Sequence, residues 1–478
     1  MRVSEIYGIN RNQPSLEFLD VDTSKDLKLY LNAKAIRQLE SDWGDHCEDL
    51  LKSFFNEILQ AARSGNNSRG LELLSKLSEP NETHLGLSKG ESNGRGLGPK
   101  KAKEIWNSFK SSKAVKTGVL EDLEDTVLLI DGISTDILSD IITNVIRGPL
   151  ITFTNRICEK YFIPMAEEVD SGPVWNPKAK QWERDFVSLP MPNDEKLILV
   201  PKSIVRLNSG YDVSKYYRHY ILEKLKDEEI ASDSGLVFTI KNGEKRVYKT
   251  DVIAKYGSKA KEVSIKQTDN FPELLTKFKQ ENSNPTSALS HEQIADAQGS
   301  KTADWNKLLE NVTKLTPGRK DAYKYEDAIL NLMIALFHPA LVDPDTQTPL
   351  HDGLKRVDIT FTNYATSGFF WWLTNNYPSP YVIVECKNFG SEMGNPEIDQ
   401  IAMRLANRRG KFGIIFCRSI ENKKRMSARC KAIMNDEDKY ILCLDDDDLS
   451  SLVEEASVVW PQGYEFPTLM KRFKELIF

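Results

Sequence analysis

No apolar run in this chain approaches the roughly 20 residues that a membrane-spanning helix needs. The longest, such as Tyr381 to Val384, stop after a few positions. Met1-Arg2-Val3-Ser4-Glu5 leads into polar residues and not into an apolar segment, so no secretory signal is expected and the protein is expected in the cytoplasm, off the membrane. Cysteine is sparse. The six, Cys47, Cys158, Cys386, Cys417, Cys430 and Cys443, include no CxxC pair, which argues against structural zinc. A basic excess is also missing: the formal net charge is −6, whereas nucleic-acid-binding domains usually carry a positive footprint. The run Asp445-Asp446-Asp447-Asp448 accounts for part of that acidity, and a local basic face can still hold phosphates.

What is present is length and pattern. With 478 residues, 40% of them hydrophobic, two or three domains are expected. Residues 1–280 read as a mixed α/β region. Leu50, Leu51, Phe54, Phe55, Ile58 and Leu59 form the apolar stripe of a long helix from about Ile36 to Ala62. A helical block from Glu121 to Tyr161 follows, in which Asp136 and Asp140 are assigned to a solvated or capping face and not to a metal. Strand-like segments fall at Val174-Trp175, Trp182 to Leu189 and Lys196 to Pro201. Asn242-Gly243 between two short runs marks a hairpin carrying Lys241, Lys245, Arg246 and Lys249, either a backbone-contacting element or a lysine-protected edge. Gly96 to Ala102 resembles the hairpin of a helix-hairpin-helix, without its preceding helix. Residues 281–304 are polar and are placed as a linker, leaving 305–478 as a second domain.

That second domain is organised around two segments, Arg356-Val357-Asp358-Ile359-Thr360-Phe361 and Tyr381-Val382-Ile383-Val384-Glu385-Cys386-Lys387. Both read as strands. Residues i and i+2 of a strand share a face, so Glu385 and Lys387 point the same way. If the Asp358 strand pairs beside them, two carboxylates and an ammonium converge on an otherwise apolar sheet. Unpaired buried charge is too costly to persist there without compensation. Hard oxygen donors suit Mg²⁺, and a bound metal lowers the pKa of its water and neutralises charge developing on a phosphate. Lys387 is then placed to orient or deprotonate the attacking water.

These residues resemble the motif of the PD-(D/E)XK nuclease superfamily, with Asp358 as the D and Glu385-Cys386-Lys387 as the E-x-K. Val357 stands where the superfamily name has proline. The surrounding order of elements carries the resemblance further. A helix from Asp321 to Phe337 holds Glu326 in its opening turns. A helix opening at Gly394-Asn395-Pro396, with Asn395 as its cap, holds Gln400. Strands at Lys411–Cys417 and Lys439–Leu444 flank a basic helix from Glu421 to Met434. The resemblance implies a restriction-endonuclease-like αβββαβ core over residues 305–478. It implies Asp358 and Glu385 as ligands of Mg²⁺ or Mn²⁺, Glu326 supporting a ligand or second metal, and Gln400 orienting the site. It further implies a DNA endonuclease of the restriction branch, including the Mrr type, acting in prokaryotic defence against phage, dimeric where both strands are cut. A regulatory partner protein is compatible with it. No such resemblance covers the region before residue 280.

Two further features belong to this domain. Arg404, Arg408, Arg409 and Lys411, with Lys423, Lys424, Arg425, Arg429 and Lys431, form the best basic face for tracking phosphates, against the alternative of plain helix solvation. Phe369-Phe370-Trp371-Trp372 is expected in a loop, packed on the protein or exposed for stacking. His338 and His351 are given no role. Two other functions stay open: a structure-selective repair or recombination nuclease, and a non-catalytic DNA-binding or assembly module that keeps the fold.

Overall fold

A computed structural model describes residues 1–39, 41–86, 99–208, 211–282, 287–350, 355–458 and 465–478. The chain is mixed α/β, 53% helical and 15% strand. Its apolar side chains gather into two cores, one running from Val3 to Ile294 and joined by Val342 and Tyr364, the other running from Val312 to Leu476.

The first core is mostly helical. Its longest helix, α1 (Asp42–Ser64), buries Leu50, Leu51, Phe54, Phe55, Ile58 and Leu59. Ser41 caps it by accepting the Gly44 N–H at 3.1 Å, and Gly65 closes it at φ 72°, a left-handed conformation that suits glycine. Helix α2 (Arg147–Tyr161) lies beside it. Trp175 and Trp182, paired across a short hairpin, meet Phe54 edge-on at 5.2 and 5.3 Å. Lys196 to Pro201 is buried extended chain and not a strand of a sheet. Its amides are taken up singly, Ile198 N–H by the Glu82 carbonyl and Leu199 N–H by the Thr154 hydroxyl. The Asn242-Gly243 hairpin forms, pairing Phe238–Thr239 with Lys245–Arg246 around Gly243 at φ 86°. Gly96 to Gly98, and His351, lie outside the described residues, while Pro99 to Ala102 open a helix that runs to Ser111.

Residues 281–304 contain a helix, α3 (His291–Gln298), with a Ser290–Gln293 capping box. Ala288, Leu289 and Ile294 belong to the first core. His291 Nε2–H donates to the Ala335 carbonyl in the second unit at 2.8 Å.

The second core surrounds a five-stranded mixed sheet of β1 (Leu341–Leu350), β2 (Lys355–Asn363), β3 (Tyr381–Lys387), β4 (Phe412–Cys417) and β5 (Tyr440–Leu444), ordered β5-β4-β3-β2-β1. The first three strands are antiparallel, and β3, β4 and β5 are parallel. β4 is buried at every position, as expected of a strand covered on both faces. Helix α4 (Ala322–Leu336) packs against β3. Helix α5 (Gly368–Asn376) follows β2, so the aromatic quartet is helical: Phe369 and Phe370 are buried, while Trp371 is 47% exposed. Helix α6 (Asn395–Ala402) crosses the face of the sheet that carries Ile383 and Gly413, which are register partners. A Cβ on Gly413 would come within 2.7 Å of Ile401, so glycine is what lets α6 lie that close. Helix α7 (Lys423–Glu437) follows β4 and packs on β5.

Candidate active site

The register between β2 and β3 sets the geometry. Ile359 faces Val384 and Thr360 faces Ile383, so one further step places Asp358 opposite Glu385, on the face that also carries Lys387. Val357, Ile359 and Phe361 alternate to the other face and are buried with Val382 and Val384. The two strands therefore deliver the three ionisable side chains to one side at one end of the sheet.

Glu385 is fully buried, and both its oxygens meet cations. Lys387 Nζ donates to Oε2 at 3.1 Å, and the Arg404 guanidinium pairs with Oε1. Lys387 Nζ also donates to Gln400 Oε1 at 3.1 Å. Asp358 is only half-buried. Its Oδ2 accepts the Cys386 backbone N–H at 2.9 Å, and its other oxygen takes no hydrogen bond from the described residues. Helix α4 brings Glu326 to the same end, where Gln347 of β1 donates to its Oε1 at 2.7 Å. Burial pushes the Glu326 carboxyl up, the Gln347 bond opposes this, and the Asp358 charge adds to the rise. The Arg404 guanidinium is held below its ordinary value by burial, with Asp358 pulling the other way. Burial, reinforced by Asp358 and Glu326, drives the Cys386 thiol far up, which suits a small apolar side chain between Glu385 and Lys387.

The sequence-predicted residues thus separate into two groups. Asp358, Glu385, Lys387 and Gln400 come together, and Glu326 lies within electrostatic reach of Asp358 and Lys387. Arg404 joins them, buried, instead of standing on the exposed basic face. Gln400 lies on α6, and Arg404 lies in the turn just past its last residue, Ala402, so the end of the helix folds the guanidinium back to the site. The cap of α6 is Gly394, whose N–H is taken by Glu397, one residue before the expected Asn395.

The exposed basic residues are unequal. Lys411 pairs with Asp438, Lys423 with Asp445 at 3.0 Å, Arg425 with Glu392, and Arg429 donates to the Met393 carbonyl. Arg409 donates to the Arg404 carbonyl. Arg408 and Lys424 are exposed and make no ion pair with a described residue. On the distant hairpin Lys245 pairs with Asp233 and Arg246 with Glu244, and Lys249, which opens the helix after it, pairs with Glu223.

The donor types at the sheet end suit a hard divalent cation, being carboxylate and amide oxygens. Asp358 has an oxygen open to one. Glu385 has none until Arg404 or Lys387 releases it. Among the described residues, no group of three or more His, Cys, Asp and Glu side chains is gathered tightly enough to hold a metal ion. The arrangement as it stands is an acid pair with its own internal counter-charges.

Among known proteins, a family model described as a domain of unknown function (DUF8370) matches residues 8–212, within the first core and outside this site. No curated protein and no solved structure matches the chain.

Proposed function

We propose that the chain is a metal-dependent nuclease that hydrolyses phosphodiester bonds of DNA, built on a restriction-endonuclease-like core. The observation that carries this reading is the convergence of Asp358, Glu385 and Lys387 on one face of adjacent strands, with Gln400 bonded to the lysine. Helix α4, the antiparallel β1-β2-β3 and the parallel β4 reached through α6 supply an αβββαβ order consistent with that core.

In this reading Asp358 and Glu385 would hold Mg²⁺ or Mn²⁺, with Glu326 beside them. Such an ion, when bound, offsets the charge that builds on the phosphate during displacement. Lys387, fixed between Glu385 and Gln400, would orient a water approaching the phosphorus from the strand end while it is an ammonium, and would take that water's proton only as the neutral amine. Gln400 holds the lysine in place through its side-chain oxygen. Exposed Arg408 and Lys424 supply phosphate contacts. A role in prokaryotic restriction or phage defence is part of the same proposal.

The test is incubation of the purified protein with supercoiled and branched DNA plus Mg²⁺, beside Asp358→Ala. Expected is cleavage by the unmodified chain, reduced at least about a thousandfold in the variant. Preference for branched over supercoiled substrate selects a repair nuclease over a restriction enzyme. Equal behaviour of the two proteins would falsify the nuclease assignment.

One observation favours a second reading, a DNA-binding or assembly module without catalysis: Arg404 already compensates Glu385 as a metal would. Under that reading Arg404→Met leaves DNA binding unchanged and gives no cleavage at any Mg²⁺ concentration.

A further inference from the structure

Beside the acid pair, on the same face of the sheet, lies a cavity of about 380 Å³. Its floor is Thr360 and Thr362 of β2 and Tyr381 and Ile383 of β3. Thr360 is two residues from Asp358 and Ile383 two from Glu385, so the floor begins one pleat repeat from the carboxylates, about 7 Å along the strands. The roof comes from the first core: Trp43 near the start of α1, and Phe153 and Arg156 of α2. Trp43 is fixed by its indole N–H, which donates to the Pro149 carbonyl at 3.3 Å. Arg156 stands 5.4 Å over the Phe153 ring. Asp343 and Asp345 of β1 close one wall, with Thr348 Oγ1 donating to Asp345 at 3.2 Å, and Arg409 closes another.

We propose that this cavity receives one unstacked nucleobase of the nucleic acid whose backbone lies at the Asp358–Glu385 end, an inference that rests on the nuclease reading. Three properties select a base over other ligands. The volume falls within the range of small-molecule sites and holds a single base with part of its sugar. Flat aromatic surfaces, Trp43, Phe153 and Tyr381, meet a polar floor, the combination that grips an extruded base by stacking and by its hydrogen-bonding edge. Asp42 and Asp345 face two guanidiniums, and burial pushes the Asp343 carboxyl up, so the lining carries no net positive charge to draw in a phosphate and offers carboxyl oxygens to groups that donate hydrogen bonds. Carboxylates accept from exocyclic amino groups, so cytosine, adenine and guanine are taken over thymine. The first core thereby contributes to substrate choice by roofing a subsite whose floor is the catalytic face.

The experiment uses the full chain and oligonucleotides with one unpaired 2-aminopurine, which bears an exocyclic amino group and brightens when unstacked. Ca²⁺ replaces Mg²⁺ so that the probe stays intact, and binding is followed separately by anisotropy. Expected is a saturable several-fold rise in 2-aminopurine emission, lost in both Thr360→Phe and Thr348→Phe, which plug the cavity from different strands, while anisotropy still reports binding. Competitors with an unpaired cytosine should displace the probe about tenfold better than those with thymine. Binding without a rise, a rise that both plugged variants retain, or equal competition by the two bases overturns the proposal. Cleavage in Mg²⁺ is scored independently. Cleavage without a rise sinks the cavity assignment and leaves the nuclease, whereas a rise without cleavage does the reverse.

Discussion

The two cores handle buried charge in opposite ways. In the first, buried carboxylates draw their partners from close by and stay out of solvent. Asp125 is fully buried, accepts the N–H groups of Glu121 and Asp122, and meets Lys279 at 3.2 Å. Glu17 takes Lys160 and the Tyr161 hydroxyl, and Asp20 takes the Ser4 hydroxyl at 2.6 Å. In the second core the charges line up along one strand face and end at Asp358, half-exposed with an oxygen to spare. A closed network can only stabilise. A spare carboxylate oxygen that reaches solvent can meet a ligand, whereas the spare Oδ1 of Asp125 is sealed in, and that difference, more than the count of charges, separates a structural ion pair from a candidate site.

The largest expected effect breaks this gradient at its buried end. Glu385→Ala strands Lys387 and the buried Arg404, and removing one partner of a buried pair costs about 3–5 kcal/mol. Asp358→Ala loses one backbone hydrogen bond at a half-exposed position, about 1 kcal/mol. Both should abolish cleavage, but only Glu385→Ala should markedly lower the urea midpoint. Equal losses of stability would mean that the site is not graded from closed to open.

Second comes the seam between the cores, where two histidines are buried 5.0 Å apart. His291 donates to the Ala335 carbonyl and His338 to that of Leu289. Burial, helped by the nearby Lys202 charge, holds His291 down at about 4 and His338 well below its ordinary value. Both folded values lie below the unfolded one near 6.5, so between pH 4 and 6.5 the unfolded chain binds more protons. Stability is therefore complete above pH 6.5 and declines as pH falls towards 4, by on the order of 3 kcal/mol from His291. Denaturation midpoints measured across this range should flatten for His291→Gln.

How much of this could be read from residues alone follows the same physics. The period-2 pattern placed β2 and β3 and set Glu385 and Lys387 on one face, because alternation is local. β1 was missed: Pro344 and Pro349 argue against a strand, and proline is tolerated here because β1 is the sheet edge. The quartet at Phe369 looked like a loop because four adjacent aromatics have no helical period, yet α5 buries two of them against Phe337 and Phe412. Residues 281–304 looked like a connector by composition, but the burial of α3 depends on contacts with distant chain. Arg404 reads by its charge as one of a basic face, because nothing local in the sequence shows that the turn after α6 folds it in against Glu385.

Third, Tyr364 ties the cores together. It follows β2, its hydroxyl accepts from the buried Arg206 at 2.8 Å, and its ring packs with the first core. Tyr364→Phe should cost about 1–3 kcal/mol by leaving Arg206 short of a partner. If the two cores then unfold in separate transitions by calorimetry, this bond is a main coupling between them. A single transition at lower temperature would place the coupling in the wider packing.

The smallest effects separate bound cations from available ones. Lys245 on the hairpin already pairs with Asp233, an exposed bridge worth no more than about 0.5 kcal/mol, so Lys245→Ala should change neither stability nor DNA affinity measurably. Arg408, in the turn after α6, and Lys424, in the first turn of α7, have no such acidic partner among the described residues. If they contact phosphates, each alanine substitution should lower the slope of log affinity against log salt by about one, and do so equally for every sequence tested. The comparison turns on the slope and not the affinity, because a lost phosphate contact removes released counterions whereas a lost surface pair does not. A slope that falls for Lys245→Ala and stays fixed for Lys424→Ala would move the nucleic-acid face from the second core to the first.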